Sequence, residues 1–287
     1  MKRQLLGVAA FMLALSAHAQ DNPLWMRYCA ISPDGTSIAF TYKGDIYTVP
    51  VNGGKAAQIT TNAAHDTHPV WSPDGKQIAF ASDRMGSMDI FVVDREGGIP
   101  KRLTTHSGNE TPVAFKDADH ILFLANVMPS AEDAQFPSGQ FQQVYEVSTT
   151  GDRPVMFSSM PMEDISINKT GNALLYHDKK GYEDPWRKHH TSSITRDIWL
   201  CSLDGKRSYR KLTSFNGEDR TPVWASDGKS FYYLSEEKGS FNVFKRALDG
   251  TSSTQLTHHT KHPVRFLTAA DNGTLCYGYD GEIYTMK

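Results

Sequence analysis

One phrase recurs along the chain: PVWSPDGKQIAFASDR from Pro69 to Arg84, a near-copy SPDGTSIAF from Ser32 to Phe40, and PVWASDGKSFYYLSEE from Pro222 to Glu237. Such recurrence constrains the fold more than composition does, because each copy must be one structural unit that buries its apolar face against the next. Aligned on the Pro-Val pair, copies start at Pro69, Pro112, Pro222 and Pro263, with Ala30 and Glu163 in the same slot of two degenerate copies, and the spacings are about 40, 43, 51, 59 and 41 residues. A period of roughly 40 to 50 residues with several short strands per unit points to a β-propeller.

The second copy displays the unit. Pro69 to Ser72 reads as a short inner strand, and Pro73-Asp74-Gly75 supplies a turn: proline presets φ, aspartate bonds the local backbone and glycine accepts unusual dihedrals. Gln77 to Ser82 (QIAFAS) and Asp89 to Val93 (DIFVV) are β-rich runs, and Lys101 to Thr104 (KRLT) makes a polar outer strand. That predicts four antiparallel strands, the middle two apolar enough to be covered on both faces by adjacent blades. The first copy repeats it with SIAFTY, DIYTVP and AAQIT, the third with HILFLA and QVYEVS, the fourth with LLYHD, DIWLCSL and KLT, and the fifth with SFYYLS, NVFKRA and TQLT. The sixth has TLCYGYD and EIYTMK but no closing KLT-like strand.

The expected fold is therefore an all-β, six-bladed β-propeller of four-stranded antiparallel blades over residues 20–287, the last blade incomplete. Its blades fall at about 24–61, 62–105, 106–158, 159–214, 215–258 and 259–287. Either residues 21–28 supply the missing strand or the natural polypeptide continues past Lys287, and a halt just after a strand favours a fragment.

Lys2 and Arg3, an apolar run from Leu5 to Leu15 and then Ser16-Ala17-His18-Ala19 have the order of a secretory signal over residues 1–19, with cleavage expected after Ala19 and export to the periplasm. The run is too short to span a bilayer, and no other stretch nears the roughly 18 apolar residues a membrane helix needs. Without residues 1–19 the formal charge moves from −2 to −4, which argues against a nucleic-acid or anionic-membrane partner. Cys29, Cys201 and Cys276 are too few and too scattered for a disulfide scaffold and read as buried thiols. The alternative is a Cys29 to Cys276 bridge, since the first and last repeats are neighbours in a closed ring.

The S-P-D-G-K-x-I-A-F-x-S-D-R phrase resembles the propeller repeat shared by TolB and the tricorn protease group. TolB-like proteins carry a separate α/β domain before the propeller, whereas here the first blade begins at about Leu24. The stretches NPLWMRYCAISPDGTSIAFTYKGDIYTVP and GYEDPWRKHHTSSITRDIW are similar to the N-terminal propeller of exported bacterial tricorn-type peptidases. The resemblance covers residues 22–287 and implies a larger polypeptide with a PDZ domain and a serine peptidase core of the C-terminal-processing class. It places no catalytic residue and no cofactor in this chain, and implies that the propeller filters, binds or orients peptides.

Two copies carry insertions, Val127 to Gln142 and Lys179 to Arg196, which in a repeat protein map to loops on one face. The second holds Lys179, Lys180, Arg187, Lys188 and Arg196, the pair His189 and His190, and the flat side chains Tyr182 and Trp186. Cations suit a peptide carboxylate and aromatics add contact area, so this loop is a candidate peptide-binding site. Docking against further modules and a plain solvated rim are its other readings. A Ser-His-Asp reading of His189, His190, Ser192, Ser193 and Asp197 is discounted, because triads are defined by spatial geometry.

The motif His65-x-x-His68 and its counterpart His259-x-x-His262 both precede Pro-Val, so His68 and His262 are expected at the channel mouth. The same slots predict a polar ring of His65, Asp66, His68, Glu110, Asp219, Arg220, Lys261 and His262. Imidazoles suit zinc, yet no cysteine is near to complete a site, and no metal is assigned. The aspartates Asp34, Asp74 and Asp227 are expected as turn residues. No phosphate-binding Gly loop, HExxH or GxSxG occurs.

The function expected on this basis is a non-catalytic substrate-recognition or gating propeller of a tricorn-type serine peptidase acting on peptides or proteins. The alternatives are a free-standing TolB-like periplasmic protein-binding propeller and a metal-assisted propeller lyase or hydrolase.

Overall fold

The computed structural model describes residues 24–126, 141–182, 184, 186 and 193–287. Residues 1–19, most of the first insertion, and Arg187, Lys188, His189 and His190 lie outside them.

Six antiparallel sheets follow one another along the chain. The first blade is β1 (Arg27–Ile31), β2 (Ser37–Tyr42), β3 (Asp45–Pro50) and β4 (Ala57–Gln58). The second is β5 (Asp66–Trp71), β6 (Gln77–Ser82), β7 (Asp89–Asp94) and β8 (Lys101–Arg102), and the third β9 (Thr111–Phe115), β10 (His120–Ala125), β11 (Gln143–Ser148) and β12 (Val155–Ser158). The fourth is β13 (Met162–Ile167), β14 (Ala173–Asp178), β15 (Ile198–Ser202) and β16 (Tyr209–Lys211), and the fifth β17 (Asp219–Trp224), β18 (Ser230–Ser235), β19 (Asn242–Ala247) and β20 (Ser253–Gln255). The sixth has three strands, β21 (Arg265–Ala269), β22 (Leu275–Tyr279) and β23 (Glu282–Met286).

The SPDG phrase folds as local chemistry requires. The Ser32 hydroxyl donates to Asp34, the Gly35 N–H donates to the Ser32 carbonyl at 2.8 Å, and Gly35 takes φ +70°. These bonds from Ser32 and Thr36 hold the Asp34 carboxyl at about 2. Ser72, Asp74 and Gly75 repeat the arrangement with φ +68°. The turn positions the apolar middle strand behind it, and the core forms between blades: Ala39, Ile46, Trp71, Ile78, Phe80 and Phe91 from the first two blades make one cluster. Trp71 also donates its indole N–H to the Ala30 carbonyl at 2.8 Å, and Trp224 does the same to Ser166 at 2.9 Å.

A main-chain bond recurs at the seams. The residue entering a new blade donates to the hairpin that ends the second strand of the blade before: Asp66 to Gly44 at 2.7 Å, Glu110 to Met88 at 2.8 Å, Asp219 to Arg196 at 3.0 Å and Val264 to Phe241 at 2.9 Å. Met26 donates to Gly281 at 3.0 Å in the same way, so the first blade closes the ring onto the sixth. Residues 24–28 enter β1 and form the seam, and they do not lie beside β23 as an outer strand.

Each innermost strand carries a one-residue bulge. At the bulge Tyr28, His68, Asp164, Thr221 and Phe266 take φ of +52°, +55°, +49°, +52° and +56°. Pro112 occupies that place in the third blade, where its ring fixes φ negative.

Candidate functional site: the channel mouth

The innermost strands enclose a central cavity of about 980 Å³, lined from all six blades. The strands run in the same direction, so their starts form one mouth and their SPDG-type turns the other. Left-handed φ at a non-glycine residue costs roughly 1–2 kcal/mol, and five such residues ring the first mouth. Strain of this kind is held in place by surrounding packing and clusters where side chains are aimed at a ligand.

Strand pairing identifies equivalent slots. Thr67 faces Ala81, and the residues in its slot are Arg27, Thr111, Glu163, Arg220 and Arg265. Arginine therefore occupies the slot in the fifth, sixth and first blades, which are consecutive around the ring. Arg265 is held below its ordinary range by burial and by Arg27, and burial together with Arg265 and Arg196 lowers Arg220 to about 10, against the opposing effect of Glu218. The three guanidiniums thus share one electrostatic field.

Trp186 meets this arc from the fourth blade. Its ring lies 4.9 Å from the Arg27 guanidinium and 4.7 Å from that of Arg265, and Arg265 donates to its carbonyl at 3.0 Å. Phe266 stands edge-on to it at 6.2 Å, Tyr28 packs 4.8 Å from Phe266, and His68 stacks on Tyr28 at 3.7 Å. The result is an aromatic shelf with two guanidiniums close against the indole. Burial lowers the His68 imidazole to about 4, so it is neutral at pH 7.

Next to the arc, an ion-pair network joins the fourth and fifth blades, with Arg220 a member of both. Glu163 accepts from Lys179 at 2.7 Å and meets His177 at 3.2 Å; Arg196 and Arg220 reach Glu218 at 3.2 and 3.4 Å. Burial alone would raise the Glu163 carboxyl, but His177 and Lys179 outweigh it and hold it below the usual carboxylate range. Thr221 donates to Asp164 at 2.6 Å, and its N–H to His177 Nδ1 at 3.3 Å.

The second insertion is accordingly less open than its composition suggests. Lys179 pairs with Glu163, Lys180 with Asp197, and Arg196 is buried against Glu218. Tyr182 is 86% exposed and Trp186 joins the arginine arc. Arg187, Lys188, His189 and His190 lie outside the described residues. Asp197 is buried between Lys180 and Lys211, and Ser192, like His189 and His190, lies outside the described residues.

The polar ring expected at the mouth is largely redistributed. His68 lines the channel. Asp66, Glu110 and Asp219 are buried in the seams, because the residue that donates across a seam points its side chain between blades. Asp66 is paired with Arg84 at 2.9 Å, and Arg220 is buried over Phe241. His65 and Lys261 are exposed outside the channel lining. His262 is not the counterpart of His68: the pairing of Thr268 with Cys276 puts Phe266 in that slot, four residues later, and His262 instead meets Asp280 at 3.3 Å. The Pro-Val pair misaligned the sixth copy because a proline suits the inter-blade connection as well as the strand. By the same pairing Cys29 and Ile165 take the slot assigned to Ala30 and Glu163, and Val113 takes that of Pro112. Among the described residues no three His, Cys, Asp or Glu converge to hold a metal ion, and no helix is long and apolar enough to cross a membrane.

Arg27, Arg265, Tyr28 and Phe266 had no motif to mark them. The signal was present in the register, since aligning second strands rather than Pro-Val pairs puts Arg27 and Arg220 in one column, and Arg265 joins them once the one-residue-shorter turn of the sixth copy is allowed for.

Residues 23–287 match the family described as the tricorn protease N-terminal beta propeller domain. Tricorn protease homolog 1 of Streptomyces coelicolor is 25% identical over 264 residues, covering 92% of this chain and 24% of that protein. The crystal structure of the tricorn protease aligns with a TM-score of 0.75 at 20% identity, over 92% of this chain and 25% of that one. TolB from Acinetobacter baumannii aligns with a TM-score of 0.65 at 17% identity, over 90% of this chain and 60% of that one. The two solved structures are similar in fold alone, and the chain spans about a quarter of the length of the tricorn homologue it matches.

Proposed function

Since this chain belongs to the tricorn protease N-terminal propeller family, we propose that it is the non-catalytic substrate-recognition and gating propeller of a larger peptidase, and that its channel mouth holds the carboxylate of a peptide. The observation that carries the reading is the pair of arginines Arg27 and Arg265 set against Trp186, with Tyr28 and Phe266 beside them. Guanidiniums bind carboxylates in a fixed fork, and flat aromatic faces support a peptide's side chains at low entropic cost. The reading includes a PDZ domain and a serine peptidase core as further modules of the same polypeptide, and export directed by residues 1–19.

Calorimetry with a short peptide and with its C-terminal amide tests it. A charge-assisted bond contributes about 1.5–3 kcal/mol, so the free acid is expected to bind roughly tenfold or more tightly, and Arg27→Ala with Arg265→Ala to erase that difference. Equal affinity for acid and amide would remove the carboxylate role, and binding of neither would remove recognition by this propeller. N-terminal sequencing of the exported protein tests cleavage after Ala19.

A further inference from the structure

The seam between the sixth and first blades differs from the other five in one respect: the chain itself does not run across it. It is held by the Met26 to Gly281 bond, by the Ile31 N–H donating to the Thr268 hydroxyl at 3.1 Å, and by the Asp271 N–H donating to the Pro33 carbonyl at 2.9 Å. Two of the three cysteines stand in this seam. Cys29, in β1, donates its thiol to the Phe266 carbonyl at 3.4 Å; Cys276, in β22, is paired opposite Thr268 in β21. Both cysteines therefore adjoin β21 within three residues of one another, and both belong to one buried cluster with Ile31, Ile38, Phe40 and Ala270.

We propose that Cys29 and Cys276 are a redox staple, joined as a disulfide that locks the first blade to the last. The Cys276 thiol is a side-chain partner of Cys29 and, ahead of burial, pushes the Cys29 thiol well above its ordinary range. Reduced Cys29 is consequently a poor nucleophile at neutral pH, and its reaction quickens as pH rises. Chemically, a thiolate from one cysteine attacks an oxidised dithiol donor such as glutathione disulfide and releases one donor thiolate. The second cysteine then attacks the mixed disulfide and releases the other, so the two donor thiols take up the two protons and two electrons that the protein loses. Cys29 borders the central channel, which provides a route for a small donor. Cys201 lies in a different cluster with Leu174 and Tyr176 and is the internal control.

The bridge closes about 247 residues into a loop, a length at which cross-linking restricts the unfolded chain strongly. The test is incubation of the full chain with glutathione disulfide, natively and during refolding, followed by alkylation, non-reducing peptide mapping and a melt. A Cys29–Cys276 cross-linked peptide is expected, with a Tm raised by roughly 5–10 °C and returned to the starting value by dithiothreitol. Cys201→Ala is expected to keep both effects, and Cys29→Ala or Cys276→Ala to lose both. Because the reversal by dithiothreitol is read on the unaltered chain, a variant that fails to fold does not blunt the test. Full alkylation of Cys29 and Cys276 after oxidation, or a cross-link with no change in Tm, would overturn the proposal.

Discussion

The guanidinium of Arg27, in the first blade, stands 4.9 Å from the ring of Trp186, which the chain supplies from the fourth. The contact spans the channel mouth. Trp186 is 45% exposed, so the coupling in an Arg27→Ala, Trp186→Ala double-mutant cycle is expected at about 0.5–1 kcal/mol. Urea denaturation measures it, and strictly additive effects would mean that the two side chains are neighbours without attraction.

Asp184 acts electrostatically on Arg265 from the same insertion as Trp186. A peptide carboxylate arriving at the arc meets that charge as a competitor. Asp184→Asn is expected to raise affinity for a free-acid peptide several-fold and to leave affinity for its amide unchanged, as read by calorimetry. A fall in affinity for the acid would show that Asp184 orders the site.

In four blades a threonine two residues beyond the outer strand caps the third strand. Thr60, Thr104, Thr213 and Thr257 accept from the N–H groups of Ile46, Ile90, Ile198 and Val243 at 2.9–3.0 Å. Thr60→Val leaves a buried donor unpaired and is expected to cost about 1–3 kcal/mol. Among the described residues no strand lies beside β23, so hydrogen exchange at Ile283 is expected to be faster than at Ile46, Ile90, Ile198 or Val243. Equal protection would mean that the edge is covered.

Glu110 and Asp219 are both raised to about 7, mainly by burial, with Asp89 adding to the first and Asp197 to the second. A carboxyl whose folded pKa exceeds its unfolded value binds more protons when folded, so the stability it contributes is full below about pH 4 and is lost as pH rises through about 7. Chemical denaturation between pH 5 and 8 is therefore expected to show stability falling with pH from these two groups, and Glu110→Gln with Asp219→Asn to flatten the slope. An unchanged slope in the double variant would show that the two carboxyls are ionised throughout.

Trp71 joins two blades through its indole N–H to the Ala30 carbonyl. Trp71→Phe keeps most of the apolar ring and removes the donor, with an expected cost of about 1–3 kcal/mol in urea denaturation. A cost near zero would place the stabilisation in ring packing alone.

Much of the architecture is legible in one dimension. QIAFAS, SIAFTY and SFYYLS each became a second strand, and the SPDG glycines took the left-handed φ their turns need, because period-two apolar runs and turn chemistry act over a few neighbouring residues. The site was less legible. Asp66, Glu110 and Asp219 were expected at the channel and lie in the seams, and His262 was paired with His68 where Phe266 belongs. A strand's side chains alternate between faces, so a bulge or a slip of the alignment reassigns every neighbour.

The sequence by itself determined the number of blades, their strands and their turns, since those depend on local periodicity and recur with every copy. Only the tertiary structure decided which column of residues faces the channel, that Trp186 crosses to Arg27 and Arg265, and that Cys29 meets Cys276. Those relationships depend on ring closure, which brings together residues far apart in the chain by a geometry that no local pattern encodes.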